Sequence, residues 1–140
     1  MAWTTITQTI DNIQTMTQQS DFEMIKVKLA CVSDAGAAST DLSAEVMKFV
    51  ENSFLWMVVC DPGAGGAAPD AAVQMQLANE DSINIFDSGS GGVSDTADTI
   101  FAGSWHAGMP PPIFGTCTFI CETLGAANTM DVYLYFAKGM

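Results

Sequence analysis

The sequence predicts a mainly β protein, an antiparallel β-sandwich or barrel of about six to eight short strands with at most one short helix. Three observations lead there. Apolar and polar residues alternate in several separate runs, the pattern of strands with one buried face. Turns rich in glycine, proline and asparagine divide those runs at short intervals. The longest apolar run, residues 54–60, is strand-sized and far below the ~20 residues of a membrane helix. The 140 residues suit one domain. They divide into residues 1–21, an N-terminal arm or edge strand, and residues 22–140, a single β-rich domain.

Residues 3–13 are rich in Thr and Ile, with Trp3 as the one large anchor, and read as a strand or an ordered arm. A polar connection, 14–21, follows. Over 22–32, Ile25, Val27, Leu29 and Cys31 share one face, with Lys26 and Lys28 opposite. Residues 33–40 are small and read as a loop. Over 41–51, Leu42, Val46, Phe49 and Val50 fall at helical spacing. Thr40 or Asp41 can cap the start and Asn52 can end it. A strand over 54–60, with Trp56 among its core residues, stops at Asp61-Pro62-Gly63.

The next stretch, 71–92, is the predicted structural centre. Val73, Met75 and Leu77 point one way and Gln74 and Gln76 the other. A polar turn at 79–82 and a second run, Ile83, Ile85 and Phe86, complete a hairpin. Residues 93–100 hold strand-ending and helix-capping types. Residues 101–108 carry Trp105 and the single histidine, His106, before the rigid run Met109, Pro110, Pro111 and Pro112. Two last strands, 116–122 and 129–137, are joined by a hairpin loop at 124–128. Cys117, Phe119 and Cys121 line one side of the first. Met130, Val132, Leu134 and Phe136 line one side of the second, with Tyr133 and Tyr135 opposite.

Charge narrows function. The chain has sixteen acids, four lysines and no arginine, a net charge of −12. Phosphate recognition needs Lys and Arg, so nucleic acid is excluded as a partner. An anionic membrane surface is excluded for the same reason. Charged residues make up 14% of the chain, against roughly 25% in an average domain. A chain this short of charge predicts surface covered by other subunits, since interface cores are depleted in charge. The first lysine is Lys26, so no basic leader precedes the apolar residues. The cysteines, Cys31, Cys60, Cys117 and Cys121, form no C-x-x-C pair and read as buried free thiols. Cys117 and Cys121 share a strand face at a spacing too long for a disulfide.

Candidate chemistry is sparse. Residues 63–68 fit G-x-G-x-x-A after a strand, but a dinucleotide site needs a helix at that turn. Prolines at 62 and 69 and the alternation from Val73 exclude one, so no cofactor is expected and the stretch reads as a flexible connection. His106 stands alone, with no G-x-S-x-G elbow beside it. It reads as a loop histidine, with a hydrolase as the competing role. One histidine and scattered cysteines exclude a zinc site. Glu80, Asp81, Asp87, Asp95 and Asp98 do not follow an EF-hand and read as solvated loop acids. Trp105 with the tyrosine pair gives a carbohydrate-binding sandwich as a further alternative. Trp3, Trp105, Met109, Pro110, Pro111 and Pro112 are the candidate interface residues.

Taken together, the Thr-rich start Trp3-Thr4-Thr5-Ile6, the small-residue loops at 33–40 and 63–68, and the alternating segments at 73–77 and 132–136 resemble the decoration (cement) proteins of tailed-bacteriophage heads. The proline run at 110–112, the apolar residues 101–109 before it and the helix at 41–51 have no assigned place in that class. The resemblance implies a non-enzymatic, β-rich homotrimer, made in the bacterial host cytoplasm and bound to the major capsid protein on the outer surface of the virion. A tail or head–tail connection protein is the alternative within the virion.

Overall fold

The computed structural model describes residues 5–15 (as backbone), 23–33, 38–63, 66–102, 111–121 and 128–138. Nine strands and one helix lie among them. The strands are β1 (Thr5–Thr15), β2 (Glu23–Ser33), β3 (Ala38–Asp41), β4 (Phe54–Pro62), β5 (Met75–Ala78), β6 (Asn84–Asp87), β7 (Thr99–Ala102), β8 (Thr118–Cys121) and β9 (Asn128–Lys138); the helix is α1 (Ala44–Val50). They form two antiparallel sheets. Sheet A has the order β1-β2-β9-β4-β7 and sheet B the order β3-β8-β5-β6. The mainly β, sandwich-like class is as the sequence predicts, and the described strands do not close into a barrel. The strand number exceeds the six to eight expected, and β1, β2 and β9 are long, at 11 residues each.

The inward residues of both sheets make one core. Ile25, Val27, Leu29 and Cys31 of β2 face it, with Met130, Val132, Leu134 and Phe136 of β9 and Leu55, Val58 and Cys60 of β4. Sheet B adds Met75, Leu77, Phe86, Phe119 and Cys121, all buried. Strict alternation works here because a one-residue slip would turn every apolar side chain to water. Cys60 meets Met75 across the gap between sheets, Sγ to Sδ 3.8 Å. Phe86 of β6 and Phe101 of β7 meet edge to face, centroids 5.1 Å apart. That contact ties the edges of the two sheets together where no ladder joins them.

Several sequence expectations change. The runs around 118 and 129 are not a hairpin: β8 pairs with β3 and β5, and β9 with β2 and β4. The stretch at 71–92 does form the β5–β6 pair, but β6 is an edge of sheet B. The centre of sheet A is β2-β9-β4 instead. Residues 38–40, expected as loop, and Asp41, expected at the helix start, form β3, and residues 99–102 form β7. The connection after β4 is not free. Gly63 N donates to Thr129 O at 3.0 Å, Thr129 N donates to Ala67 O at 2.8 Å, and Ala67 makes a parallel bridge to Asn128.

Helix α1 falls within the predicted 41–51, but its cap is Ser43, whose hydroxyl accepts from Val46 N at 3.2 Å. Val46, Met47 and Val50 are buried; Phe49, placed inward by spacing, is exposed. The helix ends where Asn52 takes φ 65°, a left-handed conformation that asparagine tolerates. Ser53 Oγ donates back to Val50 O and closes the turn.

Candidate functional site: the outer face of sheet A

The two outer faces differ in kind. That of sheet B is polar and internally bonded. Gln74 and Gln76 donate to the two oxygens of Asp87, at 2.7 and 3.0 Å, and Gly89 N donates to the same carboxylate at 2.8 Å. The bond from Gln74, with those from Gly89 and Gln76, holds Asp87 below the ordinary carboxylate range. Thr118 Oγ1 donates to Asp41 at 2.7 Å. Such a face is satisfied in water.

The outer face of sheet A is aromatic and apolar. The registers set out its rows. Lys26 lies opposite Tyr135, Tyr135 opposite Met57, and Met57 opposite Ala102. In the next row Lys28 lies opposite Tyr133, Tyr133 opposite Val59, and Val59 opposite Ile100. These two rows carry two lysines and no acid. The row beyond is acidic, with Asp131 opposite Asp61. Lys26 Nζ lies 4.5 Å from the centroid of the Tyr133 ring and 5.9 Å from that of Tyr135. Lys28 pairs with Asp131 at 3.4 Å. At a partly exposed site that pair is worth about 0–1 kcal/mol.

Trp56 belongs to this face, not to the core. The β4–β9 register slips between Leu55 and Met57, so Trp56 is the extra residue of a β-bulge. Leu55 and Val58 stay buried while Trp56, 41% exposed, turns outward beside Met57. The bulge coincides with a seam. From Met57 to Cys60 the free side of β4 is covered by β7. At Phe54 and Leu55 it is covered by the proline segment: Phe54 bridges to Pro112, and Leu55 N donates to Pro111 O at 2.9 Å. Trp56 stands where the two coverings meet. At the sheet edge Ile100 is 63% exposed.

The acid row has its own chemistry. Asp61 is raised above the ordinary carboxylate range by desolvation at the sheet, by a hydrogen bond with Asp98, and by the charges of Asp98 and Asp131. Among the described residues no group of three or more His, Cys, Asp or Glu side chains could hold a metal ion. The thiols are buried and none is in a disulfide. Burial raises Cys31 far above the usual thiol value, Cys60 to about 12 and Cys117 to about 11. Among the described residues, the chain after Gly63 passes through the Ala67 bridge to β5, and none of residues 66–78 is helical.

No family model, curated protein or solved structure matches this chain.

Of the interface residues picked from the sequence, Trp3, Trp105, Met109 and Pro110 lie outside the described residues, as does His106. Pro111 and Pro112 are described, and their backbones cover the start of β4. The sheet-A face itself was missed, although half its signal was present. The alternation puts Lys26 and Lys28 outward together, and likewise Tyr133 and Tyr135. Trp56 was hidden because a bulge inserts one residue into the period of two and leaves no mark in composition.

Proposed function

We propose that this chain is a structural virion protein of the decoration kind, a β-sandwich that binds the outside of a phage head, bridges capsomers and stabilises the shell. Its partners in this reading are further copies of itself, as a homotrimer, and the major capsid protein. The observation that carries the reading is the outer face of sheet A. Trp56, Met57, Val59 and Ile100 lie side by side there with two tyrosines, on a chain with few charges to keep such a face wet. Apolar surface of this kind marks a site that another protein covers. Trp and Tyr are the side chains that most often anchor such contacts. An acidic chain without arginine suits the side of a shell that faces away from DNA.

The stabilising mechanism needs no catalysis. Contacts that exist only on the assembled shell favour assembly by mass action. A carbohydrate platform is the weaker use of this face, because Lys26 already covers the Tyr133 ring on which a sugar would stack.

The test is quantitative mass spectrometry of purified particles from the phage that encodes the chain. The expected result is a fixed, high ratio to the major capsid protein, with heads that melt earlier when the chain is deleted. A few copies per particle would instead assign it to the tail or the head–tail connection. Its absence from particles would overturn the virion reading.

A further inference from the structure

We infer that Asp61 and Asp98 form a proton-dependent latch between β4 and the turn that leads into β7, closed while the two carboxyl groups share a proton and opened by their mutual repulsion when it leaves. The latch is a property of the isolated chain and does not depend on a shell.

The registers put three carboxylates in one row. The β4–β7 ladder ends with Cys60 opposite Thr99. One step further along both strands Asp98 comes beside Asp61, and their side chains are hydrogen-bonded. On the other side of β4, Asp61 lies opposite Asp131 of β9. The charged groups that act on Asp61 are these two acids, one from each neighbouring element. Lys28 of β2 reaches Asp131, at 3.4 Å, and so answers one end of the row. An ionised carboxylate only accepts hydrogen bonds, so a bond between Asp61 and Asp98 requires a proton on one of them. The pair therefore titrates as a unit.

What the latch holds is a small unit. Ser94 N donates to Thr99 Oγ1 at 3.1 Å, and Ser94 Oγ accepts from Thr96 N and Ala97 N, each at 3.1 Å. The turn that carries Asp98 is thus tied to the first residue of β7, and the two move together. Before it, Val73 and Val93 exchange backbone bonds, each 3.0 Å, and fix the start of the turn. β7 itself is four residues long, and none of them is fully buried. Beyond the β4 ladder it is held by Phe101 against Phe86. A short edge strand with so little burial opens locally far more easily than the core does. One bond gained or lost at Asp98 therefore weighs heavily there.

Protonation closes the latch. Asp61 holds its proton above the ordinary carboxylate range, and that hold is lost as pH rises from about 3.8 through its folded value. Above that window Asp61 and Asp98 repel one another across the end of the ladder, with the charge of Asp131 behind them. β7 then frays from Thr99, and the edge of β4 is uncovered from Cys60 towards Met57. Ile100 leaves the row it shares with Val59, so the apolar face of sheet A narrows when the pair ionises.

Hydrogen exchange read by mass spectrometry on the full chain tests this, at about pH 7 and about pH 4. Rates are corrected for the intrinsic pH dependence of exchange, and circular dichroism establishes that the chain is folded. In the wild type, residues 99–102 should lose more protection than β9 does on going from the lower pH to the higher. Asp61→Asn and Asp98→Asn each keep a donor facing a carboxylate, a bond that needs no shared proton. Each should hold residues 99–102 protected at both pH values. Should acid unfold the chain, the contrast between these variants and the wild type at the higher pH carries the same test. Carbon NMR of the two carboxyl groups should show one coupled titration felt by both. Equal protection of residues 99–102 in wild type and variants at the higher pH, an equal loss in β9, or two independent titrations would overturn the inference.

Discussion

Asp61, in the acid row of the sheet-A face, stands beside Asp98 and Asp131. Its folded-state pKa is raised, so the folded chain holds this proton more tightly than the unfolded chain does. Stability from this group is therefore lost as pH rises from about 3.8, the unfolded value, through the folded pKa. Above that window the ionised Asp61 beside Asp98 and Asp131 is a net cost. Asp61→Asn should raise the urea midpoint at pH 7 and leave it unchanged near pH 3.5. An equal gain at both pH values would assign the effect to packing and not to titration. The buried thiols make a second residue-scale prediction. With Cys60 pushed up to about 12 and Cys31 higher, almost no thiolate exists at neutral pH. Labelling of these cysteines by a disulfide reagent should track global unfolding across a urea series. Fast labelling of the folded chain would show that the core opens locally.

At the scale of elements, α1 is short and depends on its ends. Ser43→Ala removes the acceptor for Val46 N and should cost about 1 kcal/mol, read from the urea midpoint. Glu45 in the first turn and Lys48 in the last add smaller dipole terms. The elements also show what a sequence can and cannot reveal. The inward faces of β2, β5, β8 and β9 were legible, because each strand has one dry and one wet side and alternation follows from that. The helix was legible from Leu42, Val46 and Val50, but its cap was not, since Thr40, Asp41 and Ser43 all qualify by type. Strand β3 was hidden because Ala38-Ser39-Thr40-Asp41 has no apolar alternation and pairs only at the edge, with β8. Strand β7 was hidden because its four residues lie among turn formers. The destination of β8 and β9 was hidden as well. Which sheet a strand joins is decided by partners far along the chain, and no local pattern records it. The candidate docking face suffered from the same limit, since its residues come from β2, β4, β7 and β9.

For the whole molecule, one continuous core joins both sheets, so it should unfold as a unit. Phe136, fully buried on β9, lies within that core. Phe136→Ala should cost about 3–5 kcal/mol. It should lower the midpoint seen by tryptophan fluorescence and by far-UV circular dichroism together. Separated midpoints would mean that sheets A and B unfold independently.

The position of β9 has a consequence for how the chain is made. It is the middle strand of sheet A, yet its partners β2 and β4 are synthesised long before it. Pairings such as Ile25 with Phe136 and Val58 with Leu134 must wait until residues 128–138 leave the ribosome. Until then β2 and β4 each present an open, apolar edge toward a vacant slot, the kind of edge that recruits strands from other chains. The nascent protein is therefore most prone to aggregation just before β9 emerges. A free peptide of the β9 sequence, supplied in trans, would be expected to rescue chains truncated ahead of it.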